Sequence, residues 1–458
     1  MSVRFTQLAY NSVDDFVYGL CPHPVTCPNG LVIGGGEIYP EVNYPLPAMP
    51  ATEEIFPEAR QIYQKIITGV LDKALQLHAS GLFAEFETLP QLTEHPEWGI
   101  EIHKVLRDTM YEYEAKYGLK SAIRITPNDL REMVRPPVMR GNKYWDAMVR
   151  VFEQTARDGA DILAIESTGG KEVNDQAIVN ADIRTSVFAL GCLAPRNMKW
   201  LWTNIVDIAQ RNGAIPGSDS ACGFANTAMV LAGQGFIPKV YAAVIRAMVT
   251  PRALVTLECG ATGPSKDCAY ENVYLKAITG TPIALEGKNA ACAHFSPIGN
   301  IAAYAADLWS NESVQQVKLL SGFAPVVSTE QLIYDCRLMN KAAKKGHRKL
   351  MRDLLIESDC YLDPQAYILK PENVFKIAGE IVKTQDPFLR TLNTARVSLG
   401  NSPALRGQWR ADPGGTGGAL AGLLRTQLED IPEDEEAFIA EMKEELDEGT
   451  YMPSEYGI

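Results

Sequence analysis

From Met1 to Glu58 apolar and polar positions follow no steady period. The segment is rich in proline, glycine and tyrosine, as in NGLVIGGGEIYPEVNYPLP (29–47). It reads as an irregular N-terminal extension, residues 1–58, with room for one short strand. Beyond it the pattern changes. Ile62, Ile66, Ile67, Val70, Leu71, Ala74 and Leu75 recur at helical spacing, and Gly81 supplies a stop. LFAEFE (82–87) and SAIRIT (121–126) read as strands separated by a second helix. Trp145, Met148, Val149, Phe152 and Ala156 mark a third helix before ILAIES (162–167). Further strand readings fall on SVFALGC (186–192), AIPGS (214–218), ALVTL (253–257) and PIALE (282–286), with a weaker one over Ala324–Ser328.

Helices and short buried strands thus alternate at roughly 30- to 50-residue intervals, which forces parallel strands joined by crossover helices. Eight strands over residues 59–330 fit a TIM (β/α)8 barrel. A doubly wound open sheet is the alternative, but no GxGxxG signature follows any strand. Residues 331–458 read as a mainly helical C-terminal region packed on the barrel. Within it, Lys341, Lys344, Lys345, Arg348 and Lys349 form a basic patch, read first as a solvated helix face and second as a docking face. DPGGTGGALAG (412–422) reads as a flexible loop, and the acidic EDIPEDEEAFIAEMKEELDEG as an exposed amphipathic helix.

Composition narrows the function classes. The 458 residues are 46% hydrophobic and 22% charged, ordinary for a globular chain in water. A net charge of -13 argues against nucleic acid or an anionic membrane as partner. No stretch approaches the roughly 20 uninterrupted apolar residues of a membrane span. The N-terminus lacks the apolar core of a secretory signal, so the cytoplasm is the expected location. Nine cysteines without a CxxC read as thiols rather than a disulfide framework. Most read as packed small hydrophobes; Cys21 and Cys27 read first as loop cysteines and second as metal ligands with His23.

Three strand ends carry chemistry: LAIES at Glu166, AIPGSDSAC at Cys222, and ECGATGPSKDC at Cys268. In a barrel of this type the reacting groups sit on loops at the carboxyl ends of the strands. Two thiolates and a carboxylate suit zinc in a tetrahedron, and three protein ligands leave a fourth position open for chemistry. By position alone Cys259 serves as well as Cys268 for the second thiolate.

ECGATGPSKDCAYENVYLKAITGTPIALEGKNAACAHFSP, together with ILAIESTGGKEVND and PGSDSACGFANTAMVL, resembles the zinc-binding subunit of methanol:corrinoid methyltransferases. The resemblance runs over nearly the whole chain. It implies a TIM barrel with added helical segments and zinc on Glu166, Cys222 and Cys268. It also implies transfer of a methyl group from methanol to the Co(I) corrinoid of a partner corrinoid protein, in a homodimer or heterotetramer. Hydroxide is a poor leaving group, so the reaction needs a Lewis acid on the methanol oxygen and a proton. Glu85, Glu87, Asp219, Glu258 and Asp267 stand near strand ends as candidates to manage that proton. Two enzyme rivals are a corrinoid methyltransferase for another small methyl donor and a zinc thiol-alkylating barrel. The latter usually adds a histidine ligand, for which His294 in ACAHFSP is best placed. A non-catalytic rival is a scaffold with structural zinc, which would need a fourth protein ligand.

Overall fold

The computed structural model describes residues 3–43, 52–266, 268–312, 318–319, 322–401, 417–447 and 449–458. Seven strands form one parallel sheet: β1 (Tyr39–Asn43), β2 (Leu82–Glu87), β3 (Ser121–Thr126), β4 (Ile162–Ile165), β5 (Ile215–Asp219), β6 (Ala284–Glu286) and β7 (Leu308–Glu312). Their spatial order is β5-β4-β3-β2-β1-β7-β6, with β1 paired to both β2 and β7. Residues 262–265 close the remaining gap between β5 and β6. Thr262 and Gly263 donate main-chain hydrogen bonds to Pro216 and Gly217 of β5, both at 2.9 Å. On the other side Ser265 accepts one from Ala284 at 2.8 Å and forms a parallel bridge with Ile283. With that segment as a sixth stave, each stave lies beside its neighbour in the chain, as in a TIM barrel. Gly217 permits the closure: a Cβ there would stand 2.9 Å from the Leu163 carbonyl oxygen and 3.2 Å from that of Pro264.

The barrel expected from the sequence is present, but through compensating errors in its strands. ALVTL (253–257) lies in a helix, Thr250–Glu258, that starts on Pro251. SVFALGC (186–192) is helical, running from Ile183–Val187 into a π-helical stretch, Phe188–Leu193. Ala324–Ser328 opens the helix Ala324–Lys344. The first two are apolar and wholly buried, and periodicity does not separate a buried helix from a buried strand. In place of the three stand β1, β7 and residues 262–265. β1 comes from the segment expected to be an irregular extension, which also forms a hairpin, Leu20–Thr26 with Val32–Gly35.

The hairpin region packs Cys27, Leu31 and Ile33 against Phe83, Ala122, Ile162, Ala284 and Leu308, which stand at the amino ends of the strands. It therefore plugs the end of the barrel opposite the loops that follow the strands. Burial pushes the Cys21 and Cys27 thiols up to about 12, as suits inert packed cysteines. Lys341 and Lys344 of the basic patch line a cavity with Glu37 and Ser80 near this same end. Arg348 holds the Gly36 carbonyl at 2.7 Å.

Among the C-terminal helices, Pro387–Asn401 packs on Lys239–Met248 and on the π-helical stretch. Phe388 stacks on Phe438 at 5.3 Å. The acidic helix Glu435–Glu445 is amphipathic as expected, with Phe438, Ile439 and Met442 buried. Of the glycine-rich loop, residues 412–416 lie outside the described residues, and Gly417–Glu429 is a helix. The segment Lys239–Glu258 is apolar enough to cross a membrane but is wholly buried in the protein core.

Candidate metal centre

β4, β5 and the stave 262–265 are neighbours in the ring, so the residues that follow them converge on one place. Glu166 follows β4 directly. The next residues of its loop are clamped: the Ser167 amide donates to Asp219 Oδ1 at 3.3 Å and the Thr168 amide to Asp129 Oδ2 at 2.9 Å. Asp129 is itself locked by Arg131, with both side chains fully buried and 2.6 Å apart. Cys222 opens the helix Cys222–Gly233 three residues after β5. A helix N-terminus favours a negatively charged donor. Cys268 follows the bridge at Ser265.

One ligand atom from each of Glu166, Cys222 and Cys268 lies within 4.8 Å of the other two, the one such group of potential metal donors among the described residues. The two cysteine sulfurs stand against one another, with Cα atoms 5.5 Å apart. Ser220 touches both, its Oγ 3.2 Å from Cys222 Sγ and 3.6 Å from Cys268 Sγ. Glu271 Oε1 fixes the backbone here by accepting from the Ala221 amide at 2.7 Å.

Lys266 is the electrostatic hub. It is almost completely buried, and its Nζ lies 2.7 Å from Glu166 Oε1, 2.9 Å from Glu87 Oε2 and 3.3 Å from Glu85 Oε1. Glu85 is enclosed, and burial raises its carboxyl above the usual range despite Lys266. For Glu87 burial acts the same way, but Lys266 and the Asn43 amide outweigh it and hold the carboxyl low.

The cluster opens on a cavity of about 510 Å³ whose lining includes Glu87, Glu166, Cys222, Asn226, Val230 and His294. Cys222, Asn226 and Val230 recur every four residues along one helix and so form one wall. The arrangement offers a cation two sulfurs and one oxygen on the protein side and open space on the other.

The remaining sequence candidates divide. Glu85 and Glu87 reach the site through Lys266. Asp219 does not: it is buried under the loops, bound to Arg252 at 3.0 Å and to the Trp202 indole N–H at 3.1 Å. Glu258 pairs with Arg390 at 2.8 Å on the flank of the barrel. Asp267 lies outside the described residues. Cys259 caps its helix, donating to the Lys199 carbonyl at 3.8 Å, and is not part of the cluster. Ser220 and the roles of Lys266 were not read from the sequence. Both lie within two residues of a candidate ligand, which is the one local signal that could have drawn attention to them.

Residues 2–457 match the family model for MtaB, the methanol-cobalamin methyltransferase B subunit. The methanol–corrinoid protein co-methyltransferase of Methanosarcina barkeri is 40% identical over 398 residues, 86% of this chain and 85% of that one. In the crystal structure of the methanol:cobalamin methyltransferase complex MtaBC from Methanosarcina barkeri, one chain superposes with a TM-score of 0.94. That match covers 99% of this chain and 100% of the other at 35% identity.

Proposed function

The chain belongs to the methanol-cobalamin methyltransferase B subunit family, and we propose that it works through zinc held by Glu166, Cys222 and Cys268. Its reaction is transfer of the methyl group of methanol to the corrinoid of a partner corrinoid protein. The observation that carries the zinc reading is the donor set: one carboxylate and two thiols, mutually within 4.8 Å, on the wall of an open cavity. Soft sulfur with one oxygen, and room for a fourth partner, fits catalytic zinc. His294 falls outside that group, so the histidine-containing set of a thiol-alkylating barrel is not favoured.

When bound, zinc would act as a Lewis acid toward an alcohol oxygen. The chain's own residues hold the rest of the arrangement. Lys266 grips Glu166 Oε1 and so fixes the orientation of the carboxylate beside the two sulfurs. Ser220, touching both sulfurs, orients the two thiols. Asn226 and Val230 wall the cavity, giving a small alcohol one polar and one apolar neighbour. The corrinoid arrives on the partner and covers the mouth, excluding water from the reacting atoms. Cobalt in its Co(I) state is strongly reducing, which places the protein in the cytoplasm as part of the same proposal.

The test combines metal content with spectroscopy. The purified protein should carry about one zinc per chain, as expected for a three-ligand catalytic site. Methanol should convert the Co(I) spectrum of the corrinoid partner to that of methyl-Co(III). A chain that methylates the corrinoid at full rate without zinc would refute the metal reading.

A further inference from the structure

Breaking the C–O bond of methanol requires a proton for the departing oxygen, and none of the three candidate ligands can supply it while holding a metal. One ionisable ring faces the same cavity. His294 lines it together with Glu87, Glu166 and Cys222. It sits at the C-cap of the short helix Lys288–Ala293. Its Nδ1 lies 3.2 Å from Glu286 Oε2. Glu286 ends β6, is buried, and also accepts from the Tyr270 hydroxyl at 3.4 Å.

We propose that His294, held by Glu286, is the catalytic proton donor of the methyl transfer. The proposal rests on the reading of the cavity as the methanol site. A carboxylate on Nδ1 selects the ring orientation and tautomer. With Nδ1 at Glu286, the donor nitrogen of the proposal is Nε2. Glu286, at the end of β6, holds the ring, and Glu87, at the end of β2, and Glu166, after β4, line the same cavity.

The other acids at the site are worse donors. Glu87 is held low by Lys266 and Asn43, so it stays ionised. Glu85 is enclosed and turns toward Thr126 and Lys266 rather than the cavity. Asp219 is tied to Arg252 below the loops.

The step balances without any further reagent. The electron pair of Co(I) forms the bond to the methyl carbon, and cobalt becomes Co(III). The C–O bonding pair leaves with oxygen. Nε2 gives its proton to that oxygen, which departs as water, and one proton from solvent restores the ring. Methanol, Co(I) and a proton become methyl-Co(III) and water.

The test uses the zinc-loaded protein with its corrinoid partner under anaerobic conditions. H294A should lower the methanol-dependent rate by about 100- to 10,000-fold, the usual loss for a general acid, while zinc per chain is unchanged. Added imidazole should enter the open cavity and restore part of that rate. H294Q, a closer replacement in size, should lose a similar amount. The wild-type rate should fall on the alkaline side, as a reaction that needs a proton donor does, and E286Q, which releases the ring orientation, should lower the rate. The proposal is overturned if H294A and H294Q keep the wild-type rate and pH profile. Loss of zinc from both variants, or failure of imidazole to restore any rate, would make His294 structural instead. A limb on the acid side would make it a base. If the wild-type protein itself gives no methanol-dependent methylation, the functional reading fails first, whatever the variants do.

Discussion

The barrel interior holds buried charge in two forms. Glu41 on β1 and Arg124 on β3 face each other at 2.8 Å, both fully buried, and Arg124 also donates to the Pro264 carbonyl at 2.7 Å. That pair is closed: one anion, one cation and a main-chain acceptor to complete the fork. Nearer the loops, Lys266 is one cation among three carboxylates, Glu85, Glu87 and Glu166, with two thiols alongside. Here negative donors exceed positive charge even with the carboxyl of Glu85 pushed up by burial. The surplus also borders a cavity, whereas Glu41 and Arg124 are both wholly buried. Buried charge alone therefore says little. Imbalance beside open space is what marks a place for a cation.

The sharpest way to break this contrast is to remove a donor from the open cluster. C222A or C268A should abolish zinc binding and methyl transfer together, read by metal analysis and by the corrinoid spectrum. Stoichiometric zinc in both variants would sink the ligand assignment. In the closed pair the expected loss is of stability instead. R124M leaves Glu41 as an uncompensated buried charge and should cost about 3–5 kcal/mol, seen as a lower urea midpoint, with zinc per folded chain retained. Equal stability would mean that water already reaches Glu41. Smaller again is K266M. It keeps all three ligands but releases Glu166 Oε1, and should weaken zinc about 10- to 100-fold in a chelator competition. Unchanged affinity would show that Glu166 needs no such support.

How much of this was visible in the sequence follows from the same two forms of charge. β2, β3, β4, β5 and β6 were read near their observed places because enough of their residues are apolar. β1 and β7 were missed because Glu41, Asn43, Ser310 and Asn311 are buried in a partly polar interior and break the apolar run. The stave 262–265 contains Gly263 and Pro264 and so reads as a turn; only its hydrogen bonds to β5 and to Ala284 of β6 reveal its place. Glu166 and Cys222 were legible as residues following correctly read strands. Cys268 rested on family resemblance, since the strand assigned before it is a helix. Lys266 stood in view beside Cys268, but its partners Glu85 and Glu87 lie on β2, far away in the chain.

Cys259 carries the smallest expected effect and tests whether the contrast extends to thiols. It stands nine residues before Cys268 and next to an acid, so the sequence allowed it the same role. In the fold it borders a cavity, as Glu258 does, but without a surplus of negative donors. Glu258 is paired with Arg390, and the Cys259 sulfur accepts from the Thr203 hydroxyl at 4.0 Å and donates to the Lys199 carbonyl at 3.8 Å. Burial raises its thiol above the ordinary range, which disfavours the thiolate that a metal needs. C259S should therefore leave zinc content and the methanol-dependent cobalt spectrum unchanged and shift stability by less than about 1 kcal/mol. Zinc lost from C259S but kept by C268S would exchange the two thiols and place the open cluster on the wrong side of the barrel wall.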